Sequence, residues 1–576
     1  MKHTKDSESD YMKTTLRAVA VVAMVLTSIM TLSAKDIVKI HFDNTTVKVV
    51  NKTKNVIVNH DGCHVDITNP MKDKEVTFVL SGTTPNGSIT YHGIYKTTFV
   101  LNNLELISEK GCALDLECGK RMKLVIEKGT SNSLTDAPDT IHKACIFTKG
   151  HLEMEGKGKL TLIGRGKNVV KTKEYCAILP ESGDFLIQTE TGNGINSGSH
   201  LNIQGGDVTL QISSQDKKAL KSDSLMTLSD CTVRVLMTGD GGKGIKSGGD
   251  LIVDNATIDI STTGSFVKET NPFEKFGGMP PLGPGQEFSD SLRPPFGGMP
   301  PFGPGQEFND SLRPPFGEMP PFGPINNENA IQVSDSIMEL LFAGEPEEER
   351  LMMGGRHSYE GTAKAIKAMG RFIMNSGTVK LATQSGGAEG LEGKQGVTVN
   401  GGTLWIKSQD DAISSNGKIL FNGGMTTAWS VGNDAIDSNC REEGAITIHA
   451  GTVYACSQVG PPDEAFDCDF SPMLLTGGTV FGMGGSMGGH ATSPVERDDT
   501  QPTMVLSNLP LPKGKTIVVT DDDDKEVFVF SIPFSMRGSA TIISTPDFLM
   551  GKTYHVAIRE TATILKTITF THQVME

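Results

Sequence analysis

Successive segments of this chain repeat with a period of 22 to 25 residues, apolar residues within each segment alternate with a period of two, and glycine pairs separate the apolar runs. Together these observations predict an all-β solenoid, a parallel β-helix in which each repeat is one coil. Residues 192–216, 217–241 and 242–266 align as three units of 25, with Ile195, Leu220 and Ile245 at one phase. After an interruption the phase resumes at Ile366, Leu391, Ile413 and Ile436, spaced by 25, 22 and 23. Runs such as Leu201-x-Ile203 and Val208-x-Leu210-x-Ile212 have the period of a half-buried strand. Gly205-Gly206, Gly401-Gly402, Gly423-Gly424 and Gly477-Gly478 mark the corners between strands. A unit of this length cannot bury its apolar stripe alone, has too few residues for a propeller blade and lacks the helical half of a leucine-rich repeat; stacking on its neighbours is the remaining solution.

Composition agrees with that class. The 576 residues include 65 Gly, and 53 basic against 68 acidic residues give a net charge of −15. The hydrophobic share of 37% is too high for a disordered chain and too low for a polytopic membrane protein. The acidic balance excludes a protein that grips nucleic acid over its whole surface, and the mature chain is expected to be a monomer with no membrane insertion.

In chain order, residues 1–34 read as a signal peptide: Lys13 and Arg17 precede the uncharged run Ala18–Leu26, and Leu32-Ser33-Ala34 offers small residues at the cut. Met12 reads as an alternative start. The apolar run is too short to span a membrane, and no Cys follows it to carry a lipid. Export to the periplasm, cell surface or medium is therefore expected. Residues 35–143 read as a β-rich N-terminal cap with the first coils, 144–270 as β-helix coils, and 325–490 as further coils with acidic turns. Between them, 271–324 is a Pro/Gly-rich repeat of 20 residues, expected to be a disordered loop extruded from the helix, either a sticky ligand for a partner or the product of gene slippage. Residues 491–576 read as a small C-terminal β module closing the solenoid. The nine Cys have no C-x-x-C spacing; some can pair in an exported protein, Cys112 with Cys118 for example, or all can serve as small buried hydrophobes.

Charges at a fixed phase change sign along the stack. One residue after the phase position stand Lys171, Asn196, Lys221, Lys246 and Lys367; two before it stand Asn193, Lys218, Lys243 and Lys364. Like charges one coil apart repel by about 3.5 kcal/mol at an effective dielectric of 20. Nearby acids such as Asp223 and Asp240 relieve that repulsion, or Lys218, Lys221, Lys243, Lys246, Lys364 and Lys367 form a track for an anionic polymer. In the second half these positions turn acidic: Glu389, Asp411, Asp434 and Glu464 two before, Asp410, Asn433 and Asp463 three before, Glu392, Asp437 and Asp467 one after. Either these are solvated corners, or Asp410, Asp411, Asp434, Asp437, Asp463 and Asp467 hold Ca²⁺, a hard cation that takes six to eight oxygens at about 2.3 to 2.6 Å.

The stretches KGIKSGGDLIV (243–253), SQDDAISSNGKILFNGG (408–424), GNDAIDSN (432–439) and PDEAFDCDFSPMLLTGGTVFGMGG (462–485), with TTFVLNNLELISEKGCALDL (97–116) and IEKGTSNSLTD (126–136), resemble the bacterial carbohydrate-binding domain family typified by a clostridial cellulose- and acid-sugar-binding protein. The resemblance runs over roughly residues 75–560 and implies a right-handed parallel β-helix like that of pectate lyases, structural calcium, and polysaccharide binding without demonstrated catalysis. Ser247-Gly248-Gly249 and Met369-Gly370 replace acids that family coils pair, and Ala388-Glu389 is likewise incomplete, so the implied calcium lies in the second half.

No catalytic constellation stands out: the chain lacks a GxSxG elbow, an HExxH helix and a phosphate-binding loop. The expected function is non-catalytic binding of plant-type or acidic polysaccharide. The alternatives are a calcium-dependent lyase, for which Lys394 and Lys418 are the basic residues beside the acidic turns, and a structural surface adhesin.

Overall fold

The computed structural model describes residues 36–265, 362–468, 470–485, 494–535 and 540–576. Residues 1–34, read from the sequence as a signal peptide, and the 271–324 repeat lie outside the described residues. The fold is a parallel β-helix with three walls.

The first wall is a sheet of fourteen strands, the antiparallel capping strand Ile57–Asp61 followed by one strand per coil from Cys63–Asn69 to Phe466–Asp467. The second runs from Met122–Ile126 through short strands such as Leu152–Glu155 and Leu201–Ile203 to Leu474–Leu475. The third runs from Ile37–Asp43 to Thr479–Gly484. The second and third walls join at Thr97–Ile107, whose first half pairs with Met122–Ile126 and whose end pairs with Ser131–Thr135. Parallel stacking is thus already established upstream of residue 144.

Alternation positions the core. In Asp207–Ile212 the side chains of Val208, Leu210 and Ile212 are buried, while Asp207, Thr209 and Gln211 face outward, and third-wall strands from Lys159–Gly164 to Thr452–Ser457 share this pattern, broken only where Ser261, Ala382 and Cys456 are buried as well. The glycine pairs do sit at corners. Gly206, Gly402, Gly424 and Gly478 have φ between +81° and +85° or +76°, and a Cβ on Gly402 would lie 2.5 Å from the Gly377 carbonyl oxygen.

Coils on either side of the interruption stack directly: Ile245 pairs with Ile366, Leu251 with Phe372 and Ile258 with Val379. All nine Cys are free thiols, eight of them buried, so Cys112 and Cys118 are small core residues and not a disulfide.

Both ends are closed by antiparallel strands. Thr46–Asn51 covers Ile37–Asp43, and Ile57–Asp61 covers Cys63–Asn69. At the other end Ala540–Ser544 pairs antiparallel with both Thr479–Gly484 and Thr503–Ser507. A four-stranded antiparallel sheet ordered Glu526–Ser531, Thr516–Asp521, Thr553–Ile558, Thr563–Thr569 completes the C-terminal module. It packs on the outer face of the last third-wall coils, where Phe530 stacks on Phe481 with centroids 4.0 Å apart and Phe534 lies 5.4 Å from Trp429. These contacts cover the outer face of the last third-wall coils, and the pairing of Ala540–Ser544 removes the free edge of Thr479–Gly484.

Candidate functional site

The first wall carries the phase ladder. Val170, Ile195, Leu220, Ile245, Ile366, Leu391, Ile413, Ile436 and Phe466 pair in register along nine coils and are all at most 1% exposed. Strict alternation from such a residue would turn the side chain two positions earlier inward. It does not, because the intervening residue is also buried: Gly194, Ala219, Gly244, Ala365, Gly390, Ala412, Ala435 and Ala465 occupy it in turn. A Cβ on Gly244 would come within 2.7 Å of the Ala365 carbonyl oxygen and 2.6 Å of Ile260, so even Ala there would require its neighbours to shift. The buried pair breaks the alternation and sends both flanking side chains to the outer face, where they form two parallel columns.

The first column reads Lys171, Asn196, Lys221, Lys246, Lys367, Glu392, Ser414, Asp437, Asp467, each paired in register with the next. The second reads Lys218, Lys243, Lys364, Glu389 in register. Backbone bonds from Gly390 to the Asp411 carbonyl, Ala412 to Asp434 and Ala435 to Glu464 carry it onward. The structure therefore brings all six lysines named from the sequence onto one surface. They are recessed: Lys243 is 5% and Lys364 6% exposed.

Part of the positive charge is matched internally. Lys221 pairs with Asp223 at 2.8 Å, and Lys218 with Asp216 at 3.0 Å. Asp240, the other acid expected to help, instead accepts the backbone N–H of Ser265 at 2.9 Å, and Asp216 takes its place by reaching Lys243 at 3.7 Å. Lys171 donates to Asn196 at 3.0 Å. Burial and then the neighbouring lysines lower the Lys246 ammonium below its ordinary value.

Where the sign changes, a buried ion-pair network spans the columns. Lys364 meets Glu389 and Glu392, the latter at 2.8 Å; Lys367 reaches Glu392 at 3.0 Å, and Lys394 also pairs with Glu392. Burial alone would raise the Glu392 carboxyl, but Lys364, Lys394 and Lys367 overcome it and hold it at about 2. The same acids keep Lys364 above the ordinary lysine value against the opposing effect of burial.

Beyond this divider the columns are acidic. Asp437 and Asp467 face each other in register; Asp410 accepts from Asn433 at 2.8 Å, and Asp434 accepts the Glu464 N–H at 2.5 Å. Burial, then Asp467, Asp463 and Asp437, push Asp434 up to about 8. Burial, then Asp410, Asp437, Glu389 and Asp434, raise Asp411 well above the carboxylate range. The Oδ1 atom of Asp411 is shielded from solvent and has no hydrogen-bond partner. The donor set is all oxygen, the chemistry of a hard cation. Among the described residues, however, no three His, Cys, Asp or Glu side chains converge to hold a metal ion as they stand.

The two lysines considered as lyase bases are committed to carboxylates, Lys394 to Glu392 and Lys418 to Glu442 at 3.3 Å. The lysine that burial and its neighbours most lower, to about 8, is Lys243. It stands three rungs from Asp411, about 14 Å at the rise of stacked strands. No helix among the described residues is long and apolar enough to cross a membrane.

A carbohydrate-binding domain-containing protein from Acetivibrio thermocellus is 23% identical over 183 residues, 30% of this chain and 52% of that relative. The match thus spans about half of the relative's length. A solved structure titled as the polysaccharide lyase-like protein from C. thermocellum, a gadolinium derivative, aligns at 20% identity and a TM-score of 0.33 over 39% of this chain and 92% of that one. The profile of one family, described as carbohydrate-binding domain-containing protein, matches residues 61–276 and 350–438, which include every rung of the two charged columns except the last, at Glu464 and Asp467. Covering more than half of the chain, that match places it in the carbohydrate-binding domain-containing protein family.

Proposed function

We propose that the chain is an exported, non-catalytic polysaccharide-binding protein whose first wall lays an acidic glycan along the helix axis, with uronate carboxylates on Lys218, Lys221, Lys243, Lys246, Lys364 and Lys367. The observation that carries this reading is the in-register pair of lysine columns, recessed and only partly neutralised, by Asp216 and Asp223 in the first coils and by Glu389 and Glu392 at Lys364 and Lys367. A linear chain with one carboxylate per sugar presents a repeat of charge along its axis, as the coils do. Commitment of Lys394 and Lys418 to ion pairs, and the separation of Lys243 from the acidic rungs, favour binding over elimination chemistry.

Calcium is the cation proposed for Asp410, Asp411, Asp434, Asp437, Asp463 and Asp467. The raised Asp434 and Asp411 carboxyls reflect burial and neighbouring acids that disfavour the ionised form, and a bound cation would offset that penalty. Saturation at a hundred times Kd would stabilise the fold by about 2.7 kcal/mol. Export rests on the leader at 1–34. A glycan array probed with and without EDTA tests the reading: acidic polysaccharides should be retained, and polygalacturonate incubated with the protein and calcium should gain no ultraviolet absorbance of an unsaturated uronate. A steady gain abolished by Lys394→Ala or Lys418→Ala would replace binding with lyase activity.

A further inference from the structure

Within the lysine columns one side chain is left incompletely satisfied. Lys243 is 5% exposed, and its ammonium, which carries three donors, makes one hydrogen bond, to the Gly241 carbonyl at 2.8 Å. Its nearest carboxylate, Asp216, is 3.7 Å away and already engaged by Lys218. Lys218 and Lys364 flank it in register, and Lys246 shares its strand. Lys364 is neutralised by Glu389 and Glu392, neither of which pairs with Lys243. A buried ammonium in this position is costly to keep charged. Two events relieve it: loss of the proton, or arrival of an anion.

We propose that glycan capture in this groove is coupled to proton uptake at Lys243, the ligand's anionic group supplying the counter-charge that the fold withholds. The inference rests on the reading of the lysine columns as an acidic-glycan site and adds its regulation. In the free protein burial, then Lys218 and Lys246 against the partial opposition of Asp216, leave Lys243 titrating at about 8. Below that value the ammonium is already charged and binding takes up no proton. Above it each binding event must take one up, so affinity falls by about tenfold per pH unit until the pKa of the bound state is reached. The carboxylates of the glycan stay ionised throughout this range.

The test is calorimetric titration of the full chain with hexagalacturonate in two buffers of different ionisation enthalpy, at about pH 7 and about pH 9. At the higher pH the apparent heat should differ between buffers by close to one proton per site, and the affinity should be lower. In Lys243→Arg, which keeps its charge at any accessible pH, binding should persist with neither buffer dependence nor a pH slope. Wild-type binding without buffer dependence, or proton uptake that survives Lys243→Arg, overturns the proposal and leaves the groove reading intact. Failure of hexagalacturonate to bind at about pH 7 overturns both. The wild-type arm alone decides the coupling should the variant not fold.

Discussion

Glu392 is the residue on which the polarity of the groove turns. It is 4% exposed and faces three ammonium groups, and removing its charge takes the carboxylate from Lys367 and Lys394 and leaves Lys364 with Glu389 alone. Glu392→Ala is expected to cost about 3 kcal/mol, read by urea denaturation, the loss typical of a broken buried pair. Because its folded pKa of about 2 lies below the unfolded value of about 4.3, this stabilisation is complete above the unfolded value and is lost as pH falls through the folded one. Acid titration of wild type and Glu392→Gln should therefore converge at low pH. The outward lysines were legible in the sequence because two columns repeat with the coil period. Their partners were not: Asp216 rather than Asp240 matches Lys243, a choice made by turn geometry that no spacing encodes. Nor does alternation alone explain why both columns face outward, which depends on the buried residue before each phase position, Gly or Ala in every coil from Ile195 onward. Gly244→Val should destabilise the fold by about 1 to 3 kcal/mol through overpacking against Ala365 and Ile260, whereas Gly244→Ala should cost less.

At the scale of the element, the loop between Ser131–Thr135 and Ala144–Thr148 holds a lock that pattern reading did not find. His142 presents Nε2 to Asp136 at 2.6 Å and Nδ1 to Asp139 at 2.8 Å, so both ring nitrogens face carboxylates and the ring is held as imidazolium. Asp136 is fully buried and also accepts the Arg165 N–H at 2.5 Å, while Arg165 reaches the Ser108 carbonyl at 2.9 Å, tying turns of three successive coils together. Burial would lower the His142 pKa, but Asp136 and Asp139 outweigh it and raise it. The sign follows: the stabilisation is complete below the unfolded value of about 6.5 and is lost as pH rises through the higher folded value. Hydrogen exchange in residues 136–143 should accelerate with pH beyond its intrinsic rate, and His142→Gln should show no such excess. His142 and its two acids share one loop, but Arg165 and Ser108 join them from the turns of neighbouring coils and the cluster carries no period, which is why the sequence did not reveal it.

For the whole molecule, register across the interruption determines what the Pro/Gly-rich repeat contributes. Lys243 pairs with Lys364 and Lys246 with Lys367 as closely as any rungs within an unbroken run. Deleting 271–324 should thus leave the melting temperature nearly unchanged, and a collapse of folding would show that the flanking coils depend on it. The solenoid itself was legible because the phase residues recur through nine coils, whereas the docking of the C-terminal module onto Trp429, Tyr454 and Phe481 arises from outward aromatics that periodicity assigns only to a surface. The central claim is that the lysine columns are the glycan site, and the most direct measurement is the affinity of polygalacturonate for wild type, for Lys221→Ala/Lys246→Ala and for Thr209→Ala on the third wall. The account predicts at least about a tenfold loss, about 1.4 kcal/mol, in the double variant and none in Thr209→Ala. Unchanged affinity in a folded Lys221→Ala/Lys246→Ala protein would contradict it.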